Sequence, residues 1–305
     1  MPAKATTRSS ESLIRHRLSA LDRALPGARR GDADAIHQAR VATRRLREAL
    51  PLVVRGADGR KLRKRTRGLT RVLGSVRELD VALMTLDELE ARPGMPRRGL
   101  ARLRQDVTQE RRRLLATMLH ELKTHDLERL RRKALTAARL PAGTTTGQRR
   151  ARRRDPKRLV AAEARAERRA GTVRDAIRNA GGIYLPDRLH DVRIAVKKLR
   201  YAMEIARELK GSRATARIRM LKGTQDLLGR MHDLEVLIAR IRAVQGASED
   251  PPSLEVSADL DQLVRQLETD CRQLHVQYID RRKKLLDLCE HVMAVAERGP
   301  GASAA

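Results

Sequence analysis

Apolar residues recur along nearly the whole chain at the three- and four-residue spacing of an amphipathic helix. Strict alternation of apolar and polar positions, which is typical of a β-strand, does not stand out in any segment. The pattern therefore predicts an all-α protein. The expected helices lie at about residues 9–25, 32–55, 58–91, 97–139 (as one helix or two), 157–180, 186–210, 212–245 and 258–298.

Breaks in this pattern predict where the helices begin and end. We expect the first helix to end at Pro26-Gly27 and the second to begin at an N-cap of Asp32 or Asp34. Residues 140–156 contain proline, glycine, three consecutive threonines and a run of arginines, a composition typical of an exposed linker. The linker divides the chain into two helical halves, 9–139 and 157–298.

A short block of sequence occurs once in each half. HQARVATRRLR at 37–47 is matched by HDVRIAVKKLR at 190–200, and every histidine and cation of the first copy has a histidine or cation opposite it in the second. A second pair, LGSVRELDV at 73–81 and LGRMHDLEV at 228–236, follows in the same order. The two matches predict an internal duplication. We expect two units of about four helices each, related by a pseudo-twofold axis.

The composition points to a polyanionic partner. The chain has 305 residues and a formal net charge of +29, and its 41% of hydrophobic residues include no Phe and no Trp. Such an excess of charge is costly through self-repulsion unless an anion such as nucleic acid, an anionic membrane or a phosphate polymer binds. Residues 139–158 hold only eight basic residues and one acidic residue, so most of the excess belongs to the helices.

The repeated block places its cations on one face of a helix. On a wheel at 100° per residue, the histidine and three cations of each copy fall within about 80°, beside a separate apolar face. The fourth cation of each copy, Arg45 or Lys198, lies on the flank of this stripe. The stripes consist of His37, Arg40, Arg44 and Arg47 in the first copy and His190, Arg193, Lys197 and Arg200 in the second. The next helices add aligned cations, Lys64 with Arg219 and Arg67 with Lys222.

A row of cations on a rigid helix suits a chain of phosphates. Arginine donates in a planar fork that matches phosphate oxygens, and lysine provides a mobile point charge. Histidine can donate to phosphate as well, and a bound polyanion would raise its pKa. Repetition in register favours a binding surface over an ordinary solvated face. Each histidine could instead donate a hydrogen bond to a backbone carbonyl at the edge of the core. The sequence does not decide between this structural role and phosphate binding.

At these residues the chain resembles the CHAD family, the conserved histidine α-helical domain. Members carry the pattern H-x-x-R-x-x-x-[RK]-[RK]-L-R twice, each followed by a leucine-glycine motif, and the resemblance covers residues 9–298 apart from the linker. It implies two four-helix bundles around a basic central groove or channel, and binding of inorganic polyphosphate at intracellular granules. The implied ligand residues are His37, Arg40, Arg44, Arg45, Arg47, His190, Arg193, Lys197, Lys198 and Arg200, with Lys64, Arg67, Arg219 and Lys222 as weaker transfers.

We therefore expect a stand-alone, non-catalytic binding module that needs no cofactor. Its N-terminal residues are polar and no stretch approaches the ~20 apolar residues of a membrane span, so we expect a soluble cytoplasmic protein. Cys271 and Cys289 lie too far apart on one predicted helix to form a disulfide, which fits a reducing compartment. The sequence does not indicate an oligomeric state.

Three other functions compete with this expectation. His37 or His190 could accept a phosphoryl group, although the duplicated cations exceed what one phosphoryl group needs. A metal site is disfavoured because arginines surround each histidine, and His232, aligned with Arg77, is expected to be a further partial cation. We expect Asp80 and Glu235 to orient cations or cap turns. Weak, sequence-independent nucleic-acid binding is the strongest rival, although the chain has only three Tyr as stacking platforms.

Overall fold

The structure is a computed structural model that describes residues 10–54, 56–138, 156–211, 215–247 and 250–297. These ranges contain nine helices and no strand, which confirms the all-α prediction. Apart from Pro156, the expected linker at 140–156 lies outside the described residues. The helices are α1 (Ser10–Arg29), α2 (Ala33–Val53), α3 (Gly56–Glu90), α4 (Arg97–Thr124), α5 (Leu127–Ala138), α6 (Pro156–Ala180), α7 (Pro186–Lys210), α8 (Ala216–Gln245) and α9 (Leu254–Glu297).

Local chemistry explains where α1 and α2 meet. Asp32 caps α2 by accepting a hydrogen bond of 2.6 Å from the Ala35 backbone N–H, which settles the choice between the two aspartates. The expectation that α1 ends at Pro26-Gly27 is wrong, because the helix continues to Arg29 with Pro26 inside it. The chain reverses instead at Gly31, whose φ of +82° suits glycine.

The two halves share one arrangement of helices. In the first half α1 packs on α2, α2 on α3, and α3 on α4, while α5 returns to α1. In the second half α6, α7, α8 and α9 pack in the same order, and α9 returns to α6. The halves meet through equivalent helices, α2 with α7, α3 with α8 and α4 with α9, as a pseudo-twofold relation requires.

The halves differ at their last helix. In the first half the segment expected at 97–139 is two helices, α4 and α5, separated at His125 and Asp126. The Asp126 side chain accepts a hydrogen bond of 2.8 Å from the backbone N–H of Arg129 and so restarts the chain as α5. Its counterpart in the second half is the single long helix α9, which begins about one turn earlier than expected. The described part of the first half therefore has five helices rather than four.

The hydrophobic core crosses the division between the halves. One buried cluster joins Leu86 of α3 and Leu103 of α4 to Ile177, Val192 and Leu263 of the second half. The two halves therefore share this cluster, while a separate cluster that includes Leu21 and Leu73 lies within the first half. Aliphatic side chains from closely packed helices fill most of the shared cluster, with Tyr278 as its largest side chain.

Two further expectations concern α9 and the membrane. Cys271 and Cys289 are both buried in α9 and both are free thiols, as expected from their spacing. None of the described helices combines the length and apolar character needed to cross a bilayer.

Candidate polyanion-binding site

Helix α2 buries one face and turns its cationic stripe towards α7. Ile36, Ala39 and Leu46 are completely buried on the apolar face, so the stripe is held at a fixed angle beside it. The stripe of α7 is held in the same way by Val192 and Leu199. Because α2 and α7 pack against each other, the stripes meet at the division between the halves.

Five half-buried cations form what we call the central cationic cluster. Burial is the largest cause of the lowered pKa values of Arg40, Arg44 and Lys197, and charges act across the α2–α7 contact as well. Arg193 lowers the pKa of Arg40 and Arg44, and the arginines of both helices lower the pKa of Lys197. The two predicted stripes thus lie close to each other. The cluster consists of Arg40, Arg44 and Arg47 from α2 and Arg193 and Lys197 from α7.

The leucine-glycine motifs explain how these arginines reach their positions. A Cβ placed on Gly74 of α3 would lie 3.6 Å from Nη2 of Arg40, and one placed on Gly229 of α8 would lie 3.8 Å from Nε of Arg193. Each guanidinium therefore packs against bare backbone of the next helix in its own half. The two repeated blocks are one structural unit, because the second supplies the surface on which the first places its arginine.

Burial of like charges is expensive, and the pKa values of the cluster show it. Burial, followed by the neighbouring cations, lowers the pKa of Lys197 to about 7. Burial, and then the charge of Arg44, lowers the pKa of Arg40 to about 10. Burial also lowers the pKa of Arg193, partly offset by Asp233. The cluster is therefore under electrostatic stress that a bound anion would relieve.

Few carboxylates balance this charge. Glu78 and Asp233 occupy aligned positions on α3 and α8, and their charges act on Arg40 and Arg193 respectively. Burial raises the pKa of Asp233 despite the cations around it. The Nε of Arg40 is buried against α3 and has no hydrogen-bond partner among the described residues.

The two repeated histidines have different neighbours. His190 and His232 face each other with their Nδ1 atoms 3.2 Å apart, whereas His37 lies within the field of Arg77. Burial and nearby arginines lower the pKa of His37 and His190, and burial lowers that of His232 to about 4. The expectation of a partial cation at His232 is therefore wrong for the unliganded protein at neutral pH. Arg77, whose charge acts on His37, was not among the predicted site residues. Its alignment with His232 in the second repeated block was the signal in the sequence that could have identified it.

Arg200 and Arg45 lie outside the central cationic cluster. Arg200 forms an ion pair with Glu204 and donates a hydrogen bond of 2.9 Å to Oε1 of Gln225. Arg45 is exposed, and its Nε lies 3.8 Å from the same Glu204. Both side chains are thus tied to a carboxylate within the fold. Lys198 is half-buried and has no described ion pair.

The weaker candidates lie on exposed faces of α3 and α8. All four are exposed, and none forms an ion pair with a described residue. They are Lys64 and Arg67 on α3 and Arg219 and Lys222 on α8. Lys64 lines a surface cavity between α3 and α5. These four cations are therefore solvent-exposed, in contrast to the half-buried central cationic cluster.

Two aligned acids have taken different roles. Asp80 is buried and accepts a hydrogen bond of 2.6 Å from Nε of Arg111, which also donates to the carbonyl of Gly31. This orientation of a cation agrees with expectation. Glu235, at the matching position, accepts instead from the Tyr184 hydroxyl. Among the described residues, no group of three His, Cys, Asp or Glu is placed to hold a metal ion.

The fold matches solved structures of low sequence identity. One is the crystal structure of the CHAD domain from the plant Ricinus communis, with 21% identity, a TM-score of 0.54, and coverage of 97% of this chain and 94% of that one. Another is PptA from Streptomyces chartreusis, with 17% identity, a TM-score of 0.55, and coverage of 95% and 98%. Comparison with curated proteins finds no match. The sequence profile of the CHAD domain matches residues 12–242, and the chain therefore belongs to the CHAD domain family.

Proposed function

We propose that this protein binds inorganic polyphosphate, without catalysing its turnover, at the central cationic cluster. The observation that carries the proposal is that cations from both halves are half-buried against one another, with the pKa of Lys197 lowered to about 7. A polyanion threaded along the α2–α7 contact would relieve this repulsion and release its own condensed counterions. The link between the CHAD family and polyphosphate-related proteins supports the same ligand.

The arrangement of donors favours a linear polymer over a single phosphoryl group. Arg40 and Arg193 lie at equivalent points of the two halves, and Arg44, Arg47 and Lys197 continue the row along the helices. One phosphate could satisfy only two or three of these groups. A chain with a charge at every phosphate could engage all of them in succession.

The tyrosines favour polyphosphate over single-stranded nucleic acid. Tyr201 and Tyr278 are buried, and Tyr184 is half-buried with its hydroxyl donating to Glu235. Tyr184 is therefore the one tyrosine among the described residues with an accessible ring, whereas binding of a single strand uses several aromatic platforms on which successive bases stack. The alternative to be tested is binding of a nucleic acid through its phosphate backbone alone.

The same proposal places the protein at cytoplasmic polyphosphate granules, where its ligand would be concentrated.

Competition at physiological salt tests the proposed ligand directly. Labelled long-chain polyphosphate is bound to the protein and displaced by unlabelled polyphosphate, duplex DNA or RNA at equal phosphate concentration. We expect polyphosphate to displace the label at concentrations at least about tenfold lower than either nucleic acid, because the packed cations match a flexible, densely charged chain. Displacement by DNA or RNA at equal or lower concentration would refute the proposal.

Incubation with a labelled phosphodonor tests the non-catalytic part. If His37 or His190 accepts a phosphoryl group, acid-labile phosphohistidine will appear on the chain and disappear in the His37→Gln or His190→Gln variant. We expect no such label. Its appearance would assign the histidines to phosphotransfer rather than binding.

A further inference from the structure

The first half carries cations that the duplication does not explain. Between residues 60 and 71, α3 has seven exposed basic residues, whereas the aligned residues 215–226 have three, Arg217, Arg219 and Lys222. Only Arg219 and Lys222 stand opposite basic residues of α3. The other basic residues in this stretch of α3 have Thr, Ala, Ile, Met or Asp opposite them. The central cationic cluster, built from the repeated positions, does not use this excess. The seven residues are Arg60, Lys61, Arg63, Lys64, Arg65, Arg67 and Arg71.

Part of this excess converges on a cavity with cations from a second helix. A surface cavity of about 700 Å³ lies between α3 and α5. Asp58 is the one carboxylate in its described lining, which also includes His125 and Thr136. We call it the outer basic pocket. Its cations are Lys61, Lys64 and Arg65 from α3 and Arg132 and Lys133 from α5.

Within the described ranges these cations form no ion pair, although the fold pairs others nearby. None of the five forms an ion pair with a described residue, whereas the adjacent Arg131 lies 3.6 Å from Asp22 and 3.9 Å from Glu128. The break between α4 and α5 creates the pocket, because α5 then runs back beside α3. Gly68 permits this approach, since a Cβ there would lie 3.3 Å from Cε1 of His125. The unbroken α9 has no such turn in the second half.

The outer basic pocket is joined to the central cationic cluster along α3. Arg67 lies about two helical turns before Gly74 and therefore on the face of α3 that receives Arg40. Lys64 lies about one turn further back and lines the pocket. Exposed cations thus follow α3 from one site to the other without an intervening ion pair among the described residues.

We propose that the outer basic pocket binds a second segment of the same polyphosphate chain that occupies the central cationic cluster. The inference rests on the proposed function and extends it: chains long enough to reach both sites gain affinity that short chains do not. Binding at the first site raises the effective concentration of the chain at the second. The pocket would therefore make the protein selective for polymer length.

Neutralising the pocket tests the proposal. The pocket variant carries Lys61→Gln, Arg132→Gln and Lys133→Gln. The matched control carries Lys283→Gln, Lys284→Gln and Arg265→Gln, which remove the same charges from exposed, unpaired positions on α9. Affinities of both variants and the unmodified protein are measured for long-chain polyphosphate and for a short chain of about ten phosphates, at one salt concentration.

We expect the pocket variant to lose about tenfold or more of its affinity for long chains, with short-chain affinity within about twofold of the control. Equal losses in the two variants, or unchanged long-chain affinity, would overturn the inference. The central site is judged separately: failure of the unmodified protein to bind the short chain would refute the proposed function.

Vesicles containing anionic phospholipid test a different occupant of the same pocket. If the pocket variant loses vesicle binding but keeps its full preference for long polyphosphate, the pocket is a lipid headgroup site and the inference is wrong. We expect instead that vesicle binding is weak and equal in the pocket variant and the control.

Discussion

The guanidinium of Arg40 packs against the bare backbone of Gly74, so close that a Cβ on the glycine would lie 3.6 Å from Nη2 of the arginine. The same relation holds between Arg193 and Gly229 in the second half. The spacing that is repeated in the two halves thus has a direct steric meaning: the glycine of one helix sets the position of the arginine on its neighbour.

Enlarging this glycine should weaken binding according to the size of the new side chain. A Cβ at 3.6 Å is in ordinary van der Waals contact, so Gly74→Ala should keep polyphosphate affinity within about twofold. The Gly74→Leu side chain would displace the Arg40 guanidinium, and we expect a loss of about tenfold or more. Titration with polyphosphate and a thermal melt of both variants check this; equal affinities in two folded variants would mean that Gly74 does not position Arg40.

Affinity should fall as the pH rises through neutrality. The pKa of Lys197 is about 7 without ligand, and a bound anion favours the protonated amine and raises that pKa. The protonated Lys197 therefore contributes fully to the binding free energy below about pH 6, and this contribution is lost as the pH rises through the pKa that Lys197 has in the complex. Arginine stays protonated over this range, so Lys197→Arg should flatten the profile between about pH 6 and 9. Parallel profiles for the two proteins would contradict the prediction.

Removing the Lys197 charge should stabilise the free protein while weakening binding. Because its folded pKa lies below the ordinary value of 10.5, the protonated amine disfavours the folded state, and this penalty is full below about pH 7 and disappears as the pH rises towards 10.5. At pH 6 we expect Lys197→Met to raise Tm by about 2–6 °C. At pH 10 the increase in Tm of Lys197→Met over the unmodified protein should be smaller, because Lys197 is then mostly uncharged in the folded protein. A lower Tm for a variant that still binds normally would contradict the assignment.

Stability should depend strongly on a contact between the halves. Arg17 of α1 is buried and donates two hydrogen bonds, of 3.2 and 3.3 Å, to the carboxylate of Glu208 on α7. Glu208→Gln leaves that guanidinium without a counter-charge and should lower the free energy of unfolding by about 2–4 kcal/mol. The matched change Glu255→Gln, in the exposed pair with Arg98, should change it by less than about 0.5 kcal/mol. Denaturant titration of both variants measures the difference, and similar values would contradict it.

The repeated residues were the part of the site that the sequence could predict. Helical periodicity places Arg40, Arg44 and Arg47 on one stripe, and the duplication places Arg193 and Lys197 on another. Arg200 and Glu204 are four residues apart on one helix, a spacing at which opposite charges pair, so the sequence does contain the signal that removes Arg200 from the stripe.

Other features depend on contacts between distant segments and escaped prediction. The Nδ1 contact between His190 and His232 joins α7 to α8, and the depressed pKa of His232 follows from burial that the sequence does not encode locally. Similarly, Pro26 lies inside α1 because the turn at Gly31, rather than the proline, ends the helix. The shared core had no sequence signal beyond apolar faces on every helix.

The central claim is that the stripes of the two halves form one binding site, and calorimetry with a short polyphosphate of about ten phosphates tests it most directly. Arg40→Ala, Arg193→Ala and the exposed control Arg112→Ala are titrated beside the unmodified protein. We expect one site per chain, with an affinity that falls about tenfold or more with either of the first two substitutions and is unchanged in the control. Two independent sites, with each substitution removing one and leaving the other intact, would contradict it.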